Sequence, residues 1–389
     1  MMVVLVHSMA GLGTKAEGWM RITRIRAYAL ELPRGARFML SGGRAVTAFD
    51  TTVTVVDTDA GITGMGEVCP LGSAYLPAYV AGARTGIAEL APALIGADPR
   101  ELDVVNRRMD AALMGHPYVK SALDIACWDI LGQAAGLSVC TLLGGRQADA
   151  FDLYQPVSRD TPRKMVAQMK KARAQGFRIF QPKVGGENAD DDIERIRALA
   201  AALEPGERMV CDANGGWTAH QAARLVRGVR DLDFVLEQPC ATYEECLTIR
   251  RRTDRPFVLD EVIDSVPALL RAHADGAMDA INLKISKLGG LTRARRFRDL
   301  CVALGIPMTI EDSGGGDVAA AAVASLAQST PPPMLFSVAN AYFVVKVHVA
   351  DGCLCARRGR VTVSDRPGLG LTPRFDVLGV PVVDVRKSA

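Results

Sequence analysis

Residues 208–284 contain four short apolar segments that each end in a charged residue: RMVCD at 208–212, DFVLE at 233–237, FVLD at 257–260 and DAINLK at 279–284. Segments of the same character occur at 151–155, 177–183, 306–311 and 334–338, with amphipathic sequence between them. Eight short strands, each followed by a helix or loop, are typical of a parallel β/α barrel rather than an open sheet. The sequence therefore predicts an α/β fold with a barrel at residues 149–351.

The sequence before the predicted barrel has a different pattern. A strand-like run at 52–57 is followed by apparent glycine turns at Gly61 and Gly64, and residues 85–135 carry apolar side chains at helical spacing. We expect an antiparallel sheet followed by helices, an α+β capping domain at residues 20–148 that residues 352–385 complete. Residues 1–19 are expected to be an unstructured extension or to follow a misplaced start.

The composition excludes several classes of protein. With 46 basic and 43 acidic residues the formal charge is +3, which gives no basis for a nucleic-acid or membrane-surface partner. The nine cysteines contain no Cys-x-x-Cys pair, so neither a disulfide framework nor a zinc site is expected. No apolar run reaches the length of a membrane span. We predict a cytoplasmic protein that forms a homo-oligomer and acts on a small molecule.

Three carboxylates end consecutive strands of the predicted barrel: Asp212, Glu237 and Asp260. Catalytic groups of such barrels lie at the C-terminal ends of the strands, so these side chains should converge. Their mutual repulsion would be severe without a cation. Because all the ligands would be oxygen atoms, we predict one Mg²⁺ per subunit, with Mn²⁺ as a substitute.

Two lysines flank these acids, Lys183 at the end of the second strand and Lys284 at the end of the sixth. The period-2 alternation of a strand directs Asn282 and Lys284 into the barrel and places Lys287 in the following loop. A metal that neutralises a substrate carboxylate makes the adjacent C–H bond more acidic, and a neutral lysine can then remove the proton. We expect the metal, the opposing lysine and burial to lower the pKa of both lysines.

At these residues the chain resembles the enolase superfamily, and within it the muconate-lactonizing-enzyme subgroup. Residues 121–132, SALDIACWDILG, and residues 142–145, LLGG, are also similar to that family. The resemblance implies a modified TIM barrel with a capping domain over its mouth. It implies that Asp212, Glu237 and Asp260 bind Mg²⁺ and that Lys183 and Lys284 form the acid/base pair.

Gln181 departs from the pattern of the subgroup. Many members have a lysine where this chain has Gln181, which could instead hydrogen-bond a substrate carboxylate.

Residues 67–79, which include Tyr75, look like the capping loop of members that act on proline derivatives. These members are hydroxyproline-betaine epimerases and cis-3-hydroxy-L-proline dehydratases. A betaine needs aromatic walls, and beyond Tyr75 no second wall is evident. A secondary ammonium can instead donate to the strand-seven residues, which are Glu311, Asp312 and Ser313.

The sequence thus favours dehydration of cis-3-hydroxy-L-proline to Δ1-pyrroline-2-carboxylate, with 2-epimerisation as a competing outcome. Epimerisation of proline betaine or 4-hydroxyproline betaine is the first alternative. A lactone cycloisomerase that uses the same metal and lysines is the second. A catalytically silent metal-binding scaffold is the third, although a scaffold has no need of buried and destabilising charges.

Overall fold

The computed structural model describes residues 2–6 and 18–387. Its first sheet has five strands in the order β1-β16-β2-β3-β4, and only β1 and β16 pair in parallel. The strands are β1 (Met2–Val6), β2 (Ile22–Met39), β3 (Ala45–Thr58), β4 (Thr63–Val68) and β16 (Val383–Lys387). Because residues 2–6 form a paired strand, the expectation of an unstructured extension is wrong for them. Residues 1 and 7–17 lie outside the described residues.

Four helices follow this sheet: α1 (Val80–Leu94), α2 (Leu102–Ala112), α3 (Pro117–Ala135) and α4 (Val139–Leu142). The central helix α3 lies against β4, and a Cβ atom at Gly66 would lie 1.7 Å from the carbonyl oxygen of Ala122. Gly64 faces the same helix, at Ala126. The prediction of a turn at Gly64 is therefore wrong, since this glycine lies inside a strand and permits close approach of the helix.

Eight parallel strands form a closed barrel, because the last strand pairs with the first. In order they are β5 (Phe151–Val157), β6 (Ile179–Pro182), β7 (Arg208–Asp212), β8 (Val235–Glu237), β9 (Phe257–Leu259), β10 (Ala280–Lys284), β11 (Met308–Glu311) and β12 (Leu335–Ala339). Each overlaps one of the eight predicted segments. The predicted α/β barrel with an α+β capping domain is therefore confirmed.

The helices of the barrel lie between its strands. They are α5 (Pro162–Ala174), α6 (Ala189–Ala200), α7 (Ala219–Gly228), α8 (Tyr243–Arg250), α9 (Val266–Ala274), α10 (Ile285–Leu288), α11 (Leu291–Leu304) and α12 (Asp317–Gln328). Capping boxes fix the starts of α7 and α8, where Thr218 pairs with Gln221 and Thr242 pairs with Glu245. Such reciprocal bonds satisfy backbone donors that the first turn of a helix leaves unpaired.

The chain after the barrel returns to the first sheet. Short strands β13 (Ala350–Asp351), β14 (Arg360–Val361) and β15 (Thr372–Pro373) and the helix α13 (Phe375–Leu378) lead to β16, which pairs antiparallel with β2. This pairing supports the predicted division of the chain, whose boundaries at residues 148 and 352 stay predictions. None of the helices in the described part of the chain is long and apolar enough to cross a membrane.

The alternation of side chains along the barrel strands explains where the polar residues lie. Val210, Val235, Val258 and Ala280 form a small buried apolar cluster, each two or four residues before a charged strand end. Successive side chains of a strand point to opposite faces, so the charged residues point to the same side as this cluster. The barrel therefore has an apolar layer directly beneath a polar layer at its C-terminal end.

Candidate active site

The polar layer brings together the five residues that the sequence singles out as metal ligands and bases. Asp212 and Glu237 are opposite each other in the register of β7 and β8, and Asp260 follows the end of β9. Lys183 follows β6, and Lys284 ends β10. All five side chains are buried. Charges this deeply buried must be compensated by one another or by a bound ion.

The two lysines contact different carboxylates. Lys183 donates a hydrogen bond to Asp212, and Lys284 donates to Asp260 and lies 3.0 Å from Oε1 of Glu311. Burial acts to lower the pKa of Lys183, but attraction to Asp212 and Glu237 outweighs burial and raises the pKa. Burial also acts to lower the pKa of Lys284, but Asp260 together with Tyr75 and Glu311 outweighs it and holds the pKa well above its usual value. The predicted lowering of both pKa values refers to the site with its metal bound, and it stays a prediction.

The three carboxylates differ in their surroundings. Burial and then repulsion from Asp212 raise the pKa of Glu237 well above its usual value. Burial also acts to raise the pKa of Asp260, but attraction to Lys284 and Lys287 outweighs it and holds the pKa well below the usual range. Burial and the neighbouring carboxylate thus disfavour the ionised form of Glu237. A bound cation would stabilise that form.

The donor set fits a hard divalent cation. Asp212, Glu237 and Asp260 offer only carboxylate oxygens, and they end or follow three neighbouring strands. Two amides support one of them: Gln181 Nε2 and Asn282 Nδ2 donate to the oxygens of Glu237 at 2.9 and 2.5 Å. Hydrogen bonds of this kind orient ligands around a metal. The residues present are therefore suited to Mg²⁺.

A second group of possible ligands lies outside the barrel, where Asp317, His348 and Cys353 place one ligand atom each within 4.8 Å of the others. The Asp317 carboxylate is 2.8 Å from Nδ1 of His348 and accepts a hydrogen bond of 2.7 Å from the backbone N–H of Val349. These bonds attach the segment after β12 to the start of α12. They account for the closeness of Asp317 and His348 without a metal.

A small cavity lies above the polar layer. It is bordered by Lys183 and Lys284 and by the five predicted substrate contacts, which are Tyr75, Gln181, Glu311, Asp312 and Ser313. The structure therefore places these five residues beside the two lysines. The cavity is also bordered by four further aromatic side chains, Phe38, Phe49, Tyr154 and Tyr342. The prediction that the site has no second aromatic wall is therefore wrong. Two of the four further side chains, Phe38 and Phe49, come from the capping domain.

The predicted substrate contacts are bonded to different degrees. The Tyr75 hydroxyl donates to Oδ2 of Asp260 at 3.3 Å, and its ring centroid lies 5.3 Å from Nζ of Lys284. Glu311 accepts a hydrogen bond of 2.5 Å from the Tyr154 hydroxyl. Asp312 accepts from the backbone N–H and hydroxyl of Ser286 and from the N–H of Ser313. Asp312 therefore uses both of its carboxylate oxygens in hydrogen bonds within the protein.

Several polar residues of this centre were assigned no role from the sequence. Lys287 lies in α10, not in a loop, and its Nζ is 3.1 Å from Oδ1 of Asp260. Asn214 donates to Asp212 at 2.8 Å and to Glu261 at 3.1 Å. Burial raises the pKa of Glu261 to about 8. Their closeness in sequence to the predicted ligands was the available signal, because a residue two or three positions beyond a strand end can still reach the site.

Comparison with known families gives two matches that together cover most of the chain. Residues 40–144 match the mandelate racemase / muconate lactonizing enzyme N-terminal domain. Residues 164–377 match the enolase C-terminal domain-like family. The first matched segment contains β3, β4 and the four helices of the capping domain, and the second contains the barrel strands from β6 to β12.

Similar proteins of known name and structure agree with these matches. A cis-3-hydroxy-L-proline dehydratase of Roseibium aggregatum is 53% identical over 364 residues, which are 93% of this chain and 99% of that protein. An N-succinyl-L-Arg/Lys racemase of Bacillus cereus is 26% identical over 92% of this chain and 97% of its own length.

Solved structures agree as well. A mandelate racemase/muconate lactonizing enzyme from Roseovarius nubinhibens ISM has a TM-score of 0.92 at 42% identity, over 95% of this chain and 99% of that one. An enolase-superfamily member from the same organism, complexed with magnesium, has a TM-score of 0.90 at 41% identity, over 95% and 100%.

Proposed function

The chain belongs to the mandelate racemase/muconate lactonizing enzyme family of the enolase superfamily, and we propose that it dehydrates cis-3-hydroxy-L-proline to Δ1-pyrroline-2-carboxylate. The observation that carries this proposal is the position of Lys183 just after β6 and of Lys284 at the end of β10, on two sides of three buried carboxylates and beside one small cavity. The 53% identity to a cis-3-hydroxy-L-proline dehydratase supports the choice of substrate.

We also propose that Asp212, Glu237 and Asp260 hold one Mg²⁺ per subunit, with Mn²⁺ as a substitute. The cation would stabilise the negative charge that develops on the substrate carboxylate when the α-proton leaves. It would also balance the carboxylates that now raise the pKa of the two lysines. A lysine can accept a proton only in its neutral form, so this balance is needed for either lysine to act as a base.

Lys183 and Lys284 divide the proton transfers between them. In the cis isomer the 3-hydroxyl lies on the ring face opposite to the α-proton, so one lysine takes the proton and the other protonates the departing hydroxyl. The C–H electron pair becomes the C2–C3 double bond, the C3–O bond breaks and water leaves. The resulting enamine then moves one proton from nitrogen to carbon and becomes the cyclic imine.

The polar residues above the lysines suit the remaining groups of an imino acid. Glu311 carries a carboxylate at the cavity wall, and the secondary ammonium of the substrate can donate to it. Gln181 leaves its Oε1 buried without a hydrogen-bond partner among the described residues, so it can accept a further bond. We propose Tyr75 and Ser313 as additional contacts because they border the same cavity.

Epimerisation at C2 is the second candidate. It uses the same two lysines without loss of the hydroxyl, and the similarity to the N-succinyl-L-Arg/Lys racemase favours it. Proline betaine would be a substrate of this kind. For the protein as a whole we further propose a homo-oligomer in the cytoplasm, which light scattering and fractionation would test.

The purified, Mg²⁺-supplemented enzyme should be incubated separately with cis-3-hydroxy-L-proline and with L-proline betaine, and the products followed by NMR. We expect the imine from the first substrate and slow or no epimerisation of the second. The Lys183→Ala/Lys284→Ala double variant is the control and should form neither product. Rapid epimerisation of the betaine, with no imine from cis-3-hydroxy-L-proline, would contradict the proposed dehydration.

A further inference from the structure

Arg34 is a half-buried cation at the wall of the active-site cavity. It belongs to β2 of the capping domain and borders the same cavity as Lys183 and Lys284. Its Nε is buried without a hydrogen-bond partner among the described residues. Burial lowers the pKa of Arg34, and Cys69 alone among the described residues acts to raise it. No described carboxylate therefore compensates this charge.

The guanidinium of Arg34 lies over two aromatic rings. Its Cζ is 4.8 Å from the ring centroid of Phe38 and 4.9 Å from that of Phe49, and both rings border the cavity. A third ring of the cavity, Tyr75, has Nζ of Lys284 at 5.3 Å from its centroid. The protein's own cations thus lie over three of the aromatic rings that a ligand cation would otherwise contact.

This arrangement matters because two classes of substrate ammonium are recognised differently. A quaternary dimethylammonium has no N–H group to donate, so a binding site holds it against aromatic faces. A secondary ammonium donates hydrogen bonds to carboxylates and needs no aromatic wall. An arginine that occupies the faces of Phe38 and Phe49 removes two of the aromatic contacts that the first class needs and leaves the carboxylate contacts of the second.

We propose that Arg34 is a specificity-determining residue that excludes N-methylated substrates by covering Phe38 and Phe49 with its guanidinium group. This inference rests on the proposed function in taking the ligand to be a proline derivative. It assigns Arg34 no part in proton transfer. It predicts weak binding of a betaine even though the cavity has several aromatic walls.

Calorimetric titration of the Mg²⁺-loaded enzyme with L-proline and with L-proline betaine tests the proposal. Wild-type enzyme should bind the betaine at least ten-fold more weakly than L-proline. In Arg34→Gln the ratio of the two dissociation constants should shift at least ten-fold towards the betaine. Arg34→Lys, which keeps a cation over the rings, should stay close to wild type. Arg37→Gln removes an exposed charge from the same strand and is the matched control.

Two results would overturn the role of Arg34. One is wild-type enzyme that binds the betaine as tightly as L-proline, a measurement that needs no variant. The other is an unchanged ratio in Arg34→Gln with wild-type melting temperature and Mg²⁺ affinity. These outcomes are separate from failure of the proposed function, which is a lack of imine from cis-3-hydroxy-L-proline. Both comparison ligands lack the 3-hydroxyl, so their binding reports on Arg34 even if dehydration fails.

Discussion

Lys287 donates a 2.6 Å hydrogen bond to the carbonyl oxygen of Asp260, and its Nζ lies 3.1 Å from Oδ1 of the same residue. Lys284 contacts the other carboxylate oxygen, Oδ2. Asp260 is therefore held from both sides, by one lysine that ends a strand and another in the helix that follows. Burial lowers the pKa of Lys287, while Asp260 acts to raise it. This contact gives Lys287 a role in orienting a proposed metal ligand.

Replacement of Lys287 by methionine is expected to weaken Mg²⁺ binding by about ten-fold, because groups that orient a metal ligand typically contribute 10- to 100-fold to affinity. Calorimetric titration with Mg²⁺ measures the effect. Lys170→Met, at an exposed position of α5, is the control and should bind Mg²⁺ like wild type. Wild-type affinity in Lys287→Met would contradict the orienting role.

Removal of the metal should abolish activity. We expect EDTA-treated enzyme to release no imine and Mg²⁺ to restore the reaction, because the three carboxylates are the proposed ligands. Glu237→Gln keeps the size of the side chain and removes one negative charge, so it should lower Mg²⁺ affinity at least ten-fold. Full turnover by enzyme shown to be free of metal would disprove the metal assignment.

The two lysines should act on opposite faces of the α-carbon. Lys284→Ala should block exchange of the α-proton in D₂O for one enantiomer of proline far more than for the other, and Lys183→Ala should have the reverse preference. NMR of the exchanging proton measures both rates. Equal losses for the two enantiomers in both variants would leave the two-face assignment without support.

The same variants separate proton removal from elimination. Both Lys183→Ala and Lys284→Ala should lose dehydration of cis-3-hydroxy-L-proline at least a hundred-fold, since general acid–base groups typically contribute 10²- to 10⁴-fold. The variant that keeps the base should still exchange the α-proton of this substrate. Dehydration at the wild-type rate in either variant would show that one lysine suffices.

A buried carboxylate that joins the capping domain to the C-terminal segment should make stability depend on pH. Asp129 accepts hydrogen bonds from the N–H groups of Met65 and Leu369 at 2.9 and 2.8 Å, and burial raises its pKa to about 6. The folded state therefore binds a proton more tightly than the unfolded state. The stability that this proton contributes is present at low pH and is lost as the pH rises through about 6.

Urea unfolding of wild type and Asp129→Asn at several pH values tests this expectation. Asparagine cannot titrate and places an N–H group against one of the two backbone donors, so the variant should be less stable throughout. Its deficit relative to wild type should shrink by about 2 kcal/mol between pH 4.5 and 7.5. A deficit independent of pH would show that Asp129 does not titrate in this range.

The strands and their charged ends could be predicted because both are local properties. Short apolar runs that end in Asp212, Glu237 or Lys284 identify the strands, and the geometry of a closed parallel barrel brings their ends together. The carboxylate partners of each lysine could not be predicted. Lys284 contacts both Asp260 and Glu311 only because β9, β10 and β11 are neighbours.

The sequence by itself determined the barrel, the capping domain and the acid and lysine residues of the polar layer, because hydrophobic periodicity sets which side chains of each strand point inward. Only the tertiary structure decided which parts of the capping domain reach this layer. Arg34 and Phe49 lie far from Lys284 in sequence, yet all three border one cavity. Packing of the capping sheet over the barrel mouth is a long-range property, and no local pattern of residues encodes which of its side chains will face the substrate.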